Sequence, residues 1–555
     1  LSDDCDEGKG EQMRLIVVLL LLALSGCVVA PDTVEKQDML PLTGAEQLAL
    51  AEQAGQHLVN WPEQRSSRQE VNNRRLFTGW QGQGVLLIDM QQTQSATIAV
   101  NGKPLRLTRP MHGTPFKIDI SALTRNGHNQ LKLVSMQPAT AKLTIAVPYP
   151  ELNMQQVTTA DPQRFSKVDK LINDEIAAGF PGAVLLVVKD GQIIKETAYG
   201  YAMRYQADGS VHPEPESMQT NTLFDIASNT KMYATTYAVM QLVSSGMLDI
   251  NRPLTEYLPE YIGDGREQRL VSDLLYHTSG YAPEVHFHRP DNSNGSLFYS
   301  LNKAYTDQLL LAQVPFVSER AKTARYSDVN FMLLGLLIER LTAMPLDRYL
   351  EQHFYQPLGL NNVLFTPLQK GVAPEGIAAT ELDGNSRGGR VSFPANRQGV
   401  LRGQVHDEKA FHALQGVAGH AGLFATARDL AVLMSVVAQQ GGYGWQHFFN
   451  PAVVQQFTRP SGYDHRFGLG WRTAAGGDLN WHFGAYASDY AFGHTGWTGT
   501  ATVIDPAHNL MVVLLTNKKH SPITANGDSY EFTGDSFETG RYGSIMTLIY
   551  EAVLQ

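Results

Sequence analysis

Between residues 76 and 150, short runs of β-branched or alternating apolar residues (85–88, 96–100, 131–134 and 142–147) are separated by turn residues. Such alternation predicts strands, and Asn101-Gly102 is a hairpin signal. The region reads as a small β-sandwich. After a proline-bounded linker at 148–162, the period changes: Val168, Leu171, Ile172 and Ile176 share one helical face, and Gly179 closes the helix. An apolar run at 183–188, the turn Asp190-Gly191 and Ile193-Ile194 predict a hairpin of buried strands. Residues 232–350 are mostly helical in pattern, strands return near 468–471, 501–504 and 510–515, and a last helical run covers 545–554. This order predicts an α+β domain, one sheet covered by terminal helices with a helical region inserted.

The N-terminal part is different. Residues 28–70 are polar with one short helical candidate near 45–54, and read as a tether. The apolar run 15–23 is too short for a comfortable membrane span and reads as the core of a signal peptide over 13–27. Its end, Leu24-Ser25-Gly26-Cys27, resembles the bacterial lipobox, which implies cleavage before Cys27 and lipid attachment to its thiol. A plain secretory signal or short anchor is the other reading. Val28, not Asp, follows the cysteine, which by the same resemblance implies the periplasmic side of the outer membrane. Residues 1–12 carry five acidic side chains where a signal needs positive charge, so Met13 is the expected start and 1–12 an upstream artefact.

Composition narrows the options. A chain of 555 residues exceeds one ordinary core. A net charge of −10 without a basic run argues against a nucleic-acid partner. The only cysteines, Cys5 and Cys27, cannot staple the folded body.

The candidate chemistry centres on Ser228-Asn229-Thr230-Lys231, at the head of the apolar run 232–243. Serine and lysine three apart on a helix share a face, and a partly desolvated lysine can take the proton that makes serine a nucleophile. A second Ser-x-x-Lys, Ser300 to Lys303, follows the loop-like stretch 292–296 and lacks that setting. Tyr326-Ser327-Asp328 lies about a hundred residues after Ser228, and His494-Thr495-Gly496 lies near the end; Tyr305-Thr306-Asp307 is a rival to the former, too close to Ser300.

These three elements in this order resemble the serine β-lactamase and penicillin-binding-protein superfamily, on the class C side, over residues 160–555. Supporting phrases are 274–280, 357–360, 421–426 and 468–471; the phrases 344–349, 404–410 and 493–500 look closest to the penicillin-binding proteins of the 4B type, a group of D-alanyl-D-alanine carboxypeptidases. The resemblance implies a β-lactamase/transpeptidase-like antiparallel sheet with a helical subdomain. It implies Ser228 as nucleophile, Lys231 holding or receiving its proton and Tyr326 as second proton carrier. The backbone N–H groups of Ser228 and Trp497 would form the oxyanion hole. Asp328, His494, Thr495 and Gly496 would contact substrate, Thr495 at its carboxylate and Gly496 by allowing close approach. Residues 71–150 separately resemble the galactose-binding-like domains of glycosidases, which implies either glycan contact or a packing role.

Two positions depart from the family. Asp328 stands where Asn is usual; it either pairs with Lys231 and raises its pKa or loses an amide contact to substrate. His494 stands where β-lactamases carry Lys, and a neutral histidine holds a carboxylate less well. Both argue against efficient β-lactamase activity. Elsewhere His286-Phe287-His288 with Glu284 lacks a further metal ligand, and His277, His406-Asp407 and His420 read as structural or pocket-lining. The expectation is a serine hydrolase without metal or cofactor, a D-alanyl-D-alanine carboxypeptidase acting on peptidoglycan stem peptides. The alternatives are an esterase, amidase or weak β-lactamase on small acyl compounds, and a non-catalytic cell-wall or glycan-binding module.

Overall fold

The computed structural model describes residues 38–64, 71–154, 157, 161, 163–526 and 529–554. The signal-peptide and lipidation expectations at Met13 to Cys27 lie outside the described residues. The N-terminal region forms two antiparallel sheets. One, of five strands, places Val85–Asp89 between Phe116–Asp119 and Leu143–Val147; the other, of four, is built round Gly127–Gln137 and Ser95–Val100. Leu86, Ile88, Phe116 and Ile145 from the first share one core with Ile98, Val100, Leu105 and Leu131 from the second.

One expectation is corrected here. Residues 40–61 were expected in the tether, yet Leu40–Pro41 pairs with Phe116–Asp119 and Gln56–Trp61 with Leu143–Val147, so both are strands of the five-stranded sheet. The helix between them, Gly44–Ala51, opens with a capping box from Thr43 and Glu46. Along Gln56–Trp61 only Trp61 is fully buried. A strand lying on a covered edge shows no alternation, which is why its sequence looks like a linker.

The two-sheet region rests on the larger domain through defined contacts. Tyr149 donates from its backbone N–H to Gly444 O (2.7 Å), and Gly55 donates to Trp445 O (2.8 Å). Trp80 lies flat on the turn at Gly191, where a Cβ would sit about 2.0 Å from the indole. Glycine at φ 75° thus serves both the turn and the contact.

In the large domain a seven-stranded antiparallel sheet runs in the order Val211–Ser217, Gln192–Tyr205, Gly182–Lys189, Leu510–Thr516, Thr500–Asp505, Phe492–Gly496, Arg472–Thr473. The run 183–188 is apolar at every position because both sheet faces are covered. Val184, Leu186 and Val188 face the helical region; Ala183, Leu185 and Val187 face the helices Ser166–Ala177 and Gly543–Leu554. The last two-residue strand pairs only with Phe492 and Gly493, which leaves 494–496 as a free edge. That edge faces the start of the helix carrying Ser228.

Candidate functional site

The segment before Ser228 is bent and held. Phe224–Asp225 pairs with Leu423–Ala425, and the chain turns at Ala227 with φ 47°. A non-glycine residue there is strained. The buried Asp225 carboxylate accepts from the N–H of Ala227 (2.8 Å) and of His406 (2.6 Å). From the sheet, Thr498 and Thr500 donate their hydroxyls to the carbonyls of Asp225 (2.8 Å) and Ile226 (3.0 Å). A Cβ on Gly496 would lie 2.3 Å from Ile226 O. Gly496 thus lets the sheet edge pack directly on the serine segment.

Ser228 lies in the tight turn Ala227–Asn229, which opens into a wide helical turn, Lys231–Thr236, and continues as Tyr237–Ser244. This places Lys231 on the face of Ser228. The Lys231 ammonium has three acceptors: Ser228 Oγ (2.9 Å), Asp328 Oδ1 (2.9 Å) and His420 O (3.1 Å). Its side chain is completely buried. Burial alone would lower its pKa, but the Asp328 carboxylate and Tyr326 outweigh burial and raise it. Of the two outcomes left open for Asp328, the first is realised, and Lys231 stands as an ammonium rather than a free-amine base. Burial opposes ionisation of Asp328 too, yet Lys231 and Lys409 hold its pKa down to about 2.

Tyr326 lies with its ring 4.8 Å from the Lys231 nitrogen and lines the same cavity as Ser228. Beneath it His277 packs at 4.7 Å between ring centres. His277 Nδ1 accepts from Ser327 N (3.1 Å), and burial with Lys231 nearby pushes its pKa down to about 3, so it is neutral. Trp497 is 44% exposed and forms a wall of the cavity. It packs on His406 at 4.8 Å, with the Arg387 guanidinium 4.9 Å and the Lys519 ammonium 4.0 Å from its ring. The cavity, about 460 Å³, is lined further by Glu284, His286, His288, Arg289, Asp407, Glu408, Lys409 and Tyr530.

His494 is not among the lining residues. Its side chain is buried, with Nδ1 against Thr495 O (2.7 Å), and burial followed by the cations Arg472 and Lys231 pushes its pKa well down. It is a neutral ring behind the cavity, not a cation within it. Thr495, on the free edge, is partly exposed.

Sequence reasoning assigned no role to two groups at this site. Arg472 is held between the rings of Tyr326 (5.6 Å) and Trp481 (5.3 Å), and no hydrogen bond or carboxylate engages its guanidinium among the described residues. Burial lowers its pKa. Lys409, buried, pairs with Glu284 (3.0 Å), Asp407 (3.0 Å) and Asp328 (3.4 Å). Asp328, Asp407 and His420 have oxygens and nitrogen close enough to ligate a metal, but the Lys409 ammonium already lies against both carboxylates. The cation of that cluster is the protein's own.

The rivals separate cleanly. Ser300 Oγ donates to Asn302 O (3.0 Å) and accepts from Thr306 (2.8 Å). Lys303 turns away to Asp307 and Glu339, each at 2.8 Å. Tyr305 OH donates to Leu297 O (2.9 Å). His286 lies 3.6 Å from Glu284, and His288 is buried and neutral, its pKa pushed by burial down to about 3.

The family model described as Beta-lactamase matches residues 168–531. A Bacillus subtilis (strain 168) protein named N-acetylmuramyl-L-alanine amidase is 45% identical over 411 residues, covering 73% of this chain and 92% of its own. An Escherichia coli (strain K12) protein named "Putative D-alanyl-D-alanine carboxypeptidase" is 40% identical over 424 residues, 74% of this chain and 96% of its own. Among solved structures, a penicillin-binding-protein homologue from Caulobacter crescentus superposes with TM-score 0.50 at 20% identity, over 72% of this chain and all of that one. This last likeness concerns the fold alone.

Proposed function

The chain belongs to the beta-lactamase family, and on that premise we propose that it is a serine hydrolase that cleaves an amide of peptidoglycan through an acyl-enzyme on Ser228. The observation that carries the reading is the Lys231 ammonium, fully buried and donating to Ser228 Oγ at 2.9 Å with Tyr326 beside it. Ser228 Oγ attacks the carbonyl carbon as its proton passes to the Tyr326 oxygen, which must be the phenolate at that moment, with the Lys231 ammonium beside it to balance the charge. The backbone N–H groups of Ser228 and Trp497 stabilise the oxyanion, and one such donor is typically worth about 10²–10³ in rate. The C–N bond breaks as the leaving nitrogen takes the proton from Tyr326. Water then repeats the sequence on the ester, with Tyr326 returning the proton to Ser228. Lys231 stays charged throughout, because Asp328 holds its third proton.

The favoured bond is D-alanyl-D-alanine. Its leaving group ends in a carboxylate, and the Arg472 guanidinium, set like His494 behind the lining residues but against the Tyr326 ring, would lend it the positive potential that the neutral His494 cannot. Thr495 on the free edge would donate to the same carboxylate. A second reading, cleavage between a muramyl lactyl group and the stem peptide, is favoured by the half-exposed Trp497 in the cavity wall, whose surface beyond the contacts with His406, Arg387 and Lys519 could pack on a sugar. The name of the Bacillus relative agrees with it.

Diacetyl-Lys-D-Ala-D-Ala and a muramyl dipeptide, offered separately, distinguish the two by whether free D-alanine or the free dipeptide is released. Turnover of p-nitrophenyl acetate alone would reduce the assignment to an esterase. Intact mass after exposure to a labelled penicillin should show one adduct, at Ser228; a protein that takes none and turns over neither peptide is not a serine enzyme of this kind. A lipid on Cys27 would hold the enzyme at the periplasmic face of the outer membrane, and mass analysis of the mature N-terminus tests it. The two-sheet region would then act as a spacer or touch glycan, which pull-down on purified sacculi examines.

A further inference from the structure

Lys231, Asp328, Lys409, Asp407 and His420 form a closed ring. Lys231 donates to Asp328 Oδ1 at 2.9 Å, and Asp328 Oδ2 lies 3.4 Å from Lys409. Lys409 lies 3.0 Å from Asp407 Oδ2, Asp407 Oδ1 lies 3.0 Å from His420 Nε2, and the His420 carbonyl accepts from Lys231 at 3.1 Å. Four separate chain segments contribute. Every oxygen of the two carboxylates lies beside at least one nitrogen, Asp407 Oδ1 also accepting from Ala410 N (2.8 Å), so neither oxygen of Asp328 is left to compete for a second proton of Lys231. The ring faces the cavity, which Asp328, Asp407 and Lys409 line together with Glu284, itself half-exposed and bonded to Lys409 at 3.0 Å.

We propose that Lys409 is a positioning residue for the Ser228 reaction: by occupying the second oxygen of Asp328, it keeps the Lys231 ammonium divided between Asp328 and Ser228 instead of drawn wholly onto the carboxylate. The inference rests on the reading of Ser228 as nucleophile. Without Lys409, three carboxylates (Asp328, Asp407 and Glu284) would face a single ammonium. In low-dielectric surroundings the nearest of them gains most from turning both oxygens toward it. Lys231 would then leave Ser228 Oγ, and the serine would lose its alignment with Tyr326. An ångström at this point is costly, about 10²-fold in rate.

The charged and titratable groups facing Asp328 are Lys231, Lys409, His420 and Asp407, with Tyr326, His277 and, through Lys409, Glu284 behind them. Removing one of the two cations lets the Asp328 carboxyl take a proton at higher pH, so the acid limb of the kcat/KM profile should move upward. Burial on its own would push in the same direction, so the shift reads the lost cation and not a relaxed pocket.

The test is Lys409→Met on the full chain, assayed on whichever substrate the wild type turns over. The expected result is kcat lower by about 10²-fold, KM within about threefold, and the acid limb moved up. Lys409→Arg should restore kcat to within about tenfold, and Lys409→Ala should recover activity when ethylammonium is added, as the cavity opens beside this group. A folded Lys409→Met enzyme with wild-type kcat and pH profile overturns the proposal. Should Lys409→Met fail to fold, Lys409→Gln, which removes the cation but keeps a hydrogen-bond donor beside Asp328 and Asp407, carries the same prediction; an unchanged profile there also overturns it. If Ser228→Ala retains activity, it is the nucleophile assignment that has failed, whatever the Lys409 variants do.

Discussion

Two stretches of this chain carry the same four-residue pattern, and the protein uses them for unrelated ends. At Ser228 the serine sits within the first helical turn, so three residues of helix bring Lys231 round to it, 2.9 Å away and out of water. At Ser300 the serine precedes the cap: Asn302 accepts from Tyr305 N (3.1 Å), and the helix begins only at Lys303. Lys303 is the first helical residue and its side chain runs along the helix to Asp307 at 2.8 Å, away from Ser300. The rule that residues three apart share a face holds inside a helix and not across its start. Spacing becomes chemistry only when both residues lie on the same side of the cap.

Four measurements sharpen or break that contrast. The largest effect is expected from the serines. Ser228→Ala should lower kcat/KM by about 10⁴-fold or more, whereas Ser300→Ala should leave it within twofold and cost about 1 kcal/mol of stability for the lost hydrogen bonds. A comparable loss in both variants would erase the distinction. Next are the lysines. Lys231→Met should cost about 10²–10⁴ in kcat with the fold intact by circular dichroism; Lys303→Met should leave kcat unchanged and lower Tm, since it strands the largely covered carboxylates of Asp307 and Glu339.

Arg472→Gln comes third. It should raise KM by about 10–100-fold, the worth of a nearby cation in a partly buried site, for a peptide ending in a free carboxylate. The same peptide as its amide should be unaffected; equal losses on both would show that Arg472 only packs against Tyr326. The smallest effect is on stability. The Lys231 and Lys409 cations hold the Asp328 carboxyl at about 2 against burial. A depressed carboxylate stabilises the fold above its ordinary pKa and is lost as pH falls through the folded value. Stability should thus decline between about pH 4 and about pH 2, on the order of 1–2 kcal/mol for this group. Asp328→Asn should remove that part of the decline in urea titrations.

Much of this was legible in residues alone. The run 183–188 announced a strand buried on both faces, and the order Ser228, Tyr326, His494 placed three parts of one site in sequence. What was not legible depended on partners. Nothing at Asp328 states that two lysines share it, because Lys409 arrives from a loop eighty residues later. Arg472 sits on a two-residue strand with no periodicity to mark it, and its meaning lies in what fails to engage it. His494 occupies the expected motif, but burial sets its ring behind the cavity and not among the lining residues. Residues 40–61 were taken for a tether because short edge strands expose most of their side chains.

The Trp80 contact has a consequence for how this protein can change. Hairpin tips are ordinarily the places where a domain absorbs insertions and new side chains at little cost. Here the tip at Gly191 is a socket: any side chain there would meet the indole at about 2.0 Å. The two parts of the chain are therefore not interchangeable modules. Position 191 is constrained twice, by its φ of 75° and by the indole above it, so a side chain there would disturb both the hairpin turn and the seat of the two-sheet region.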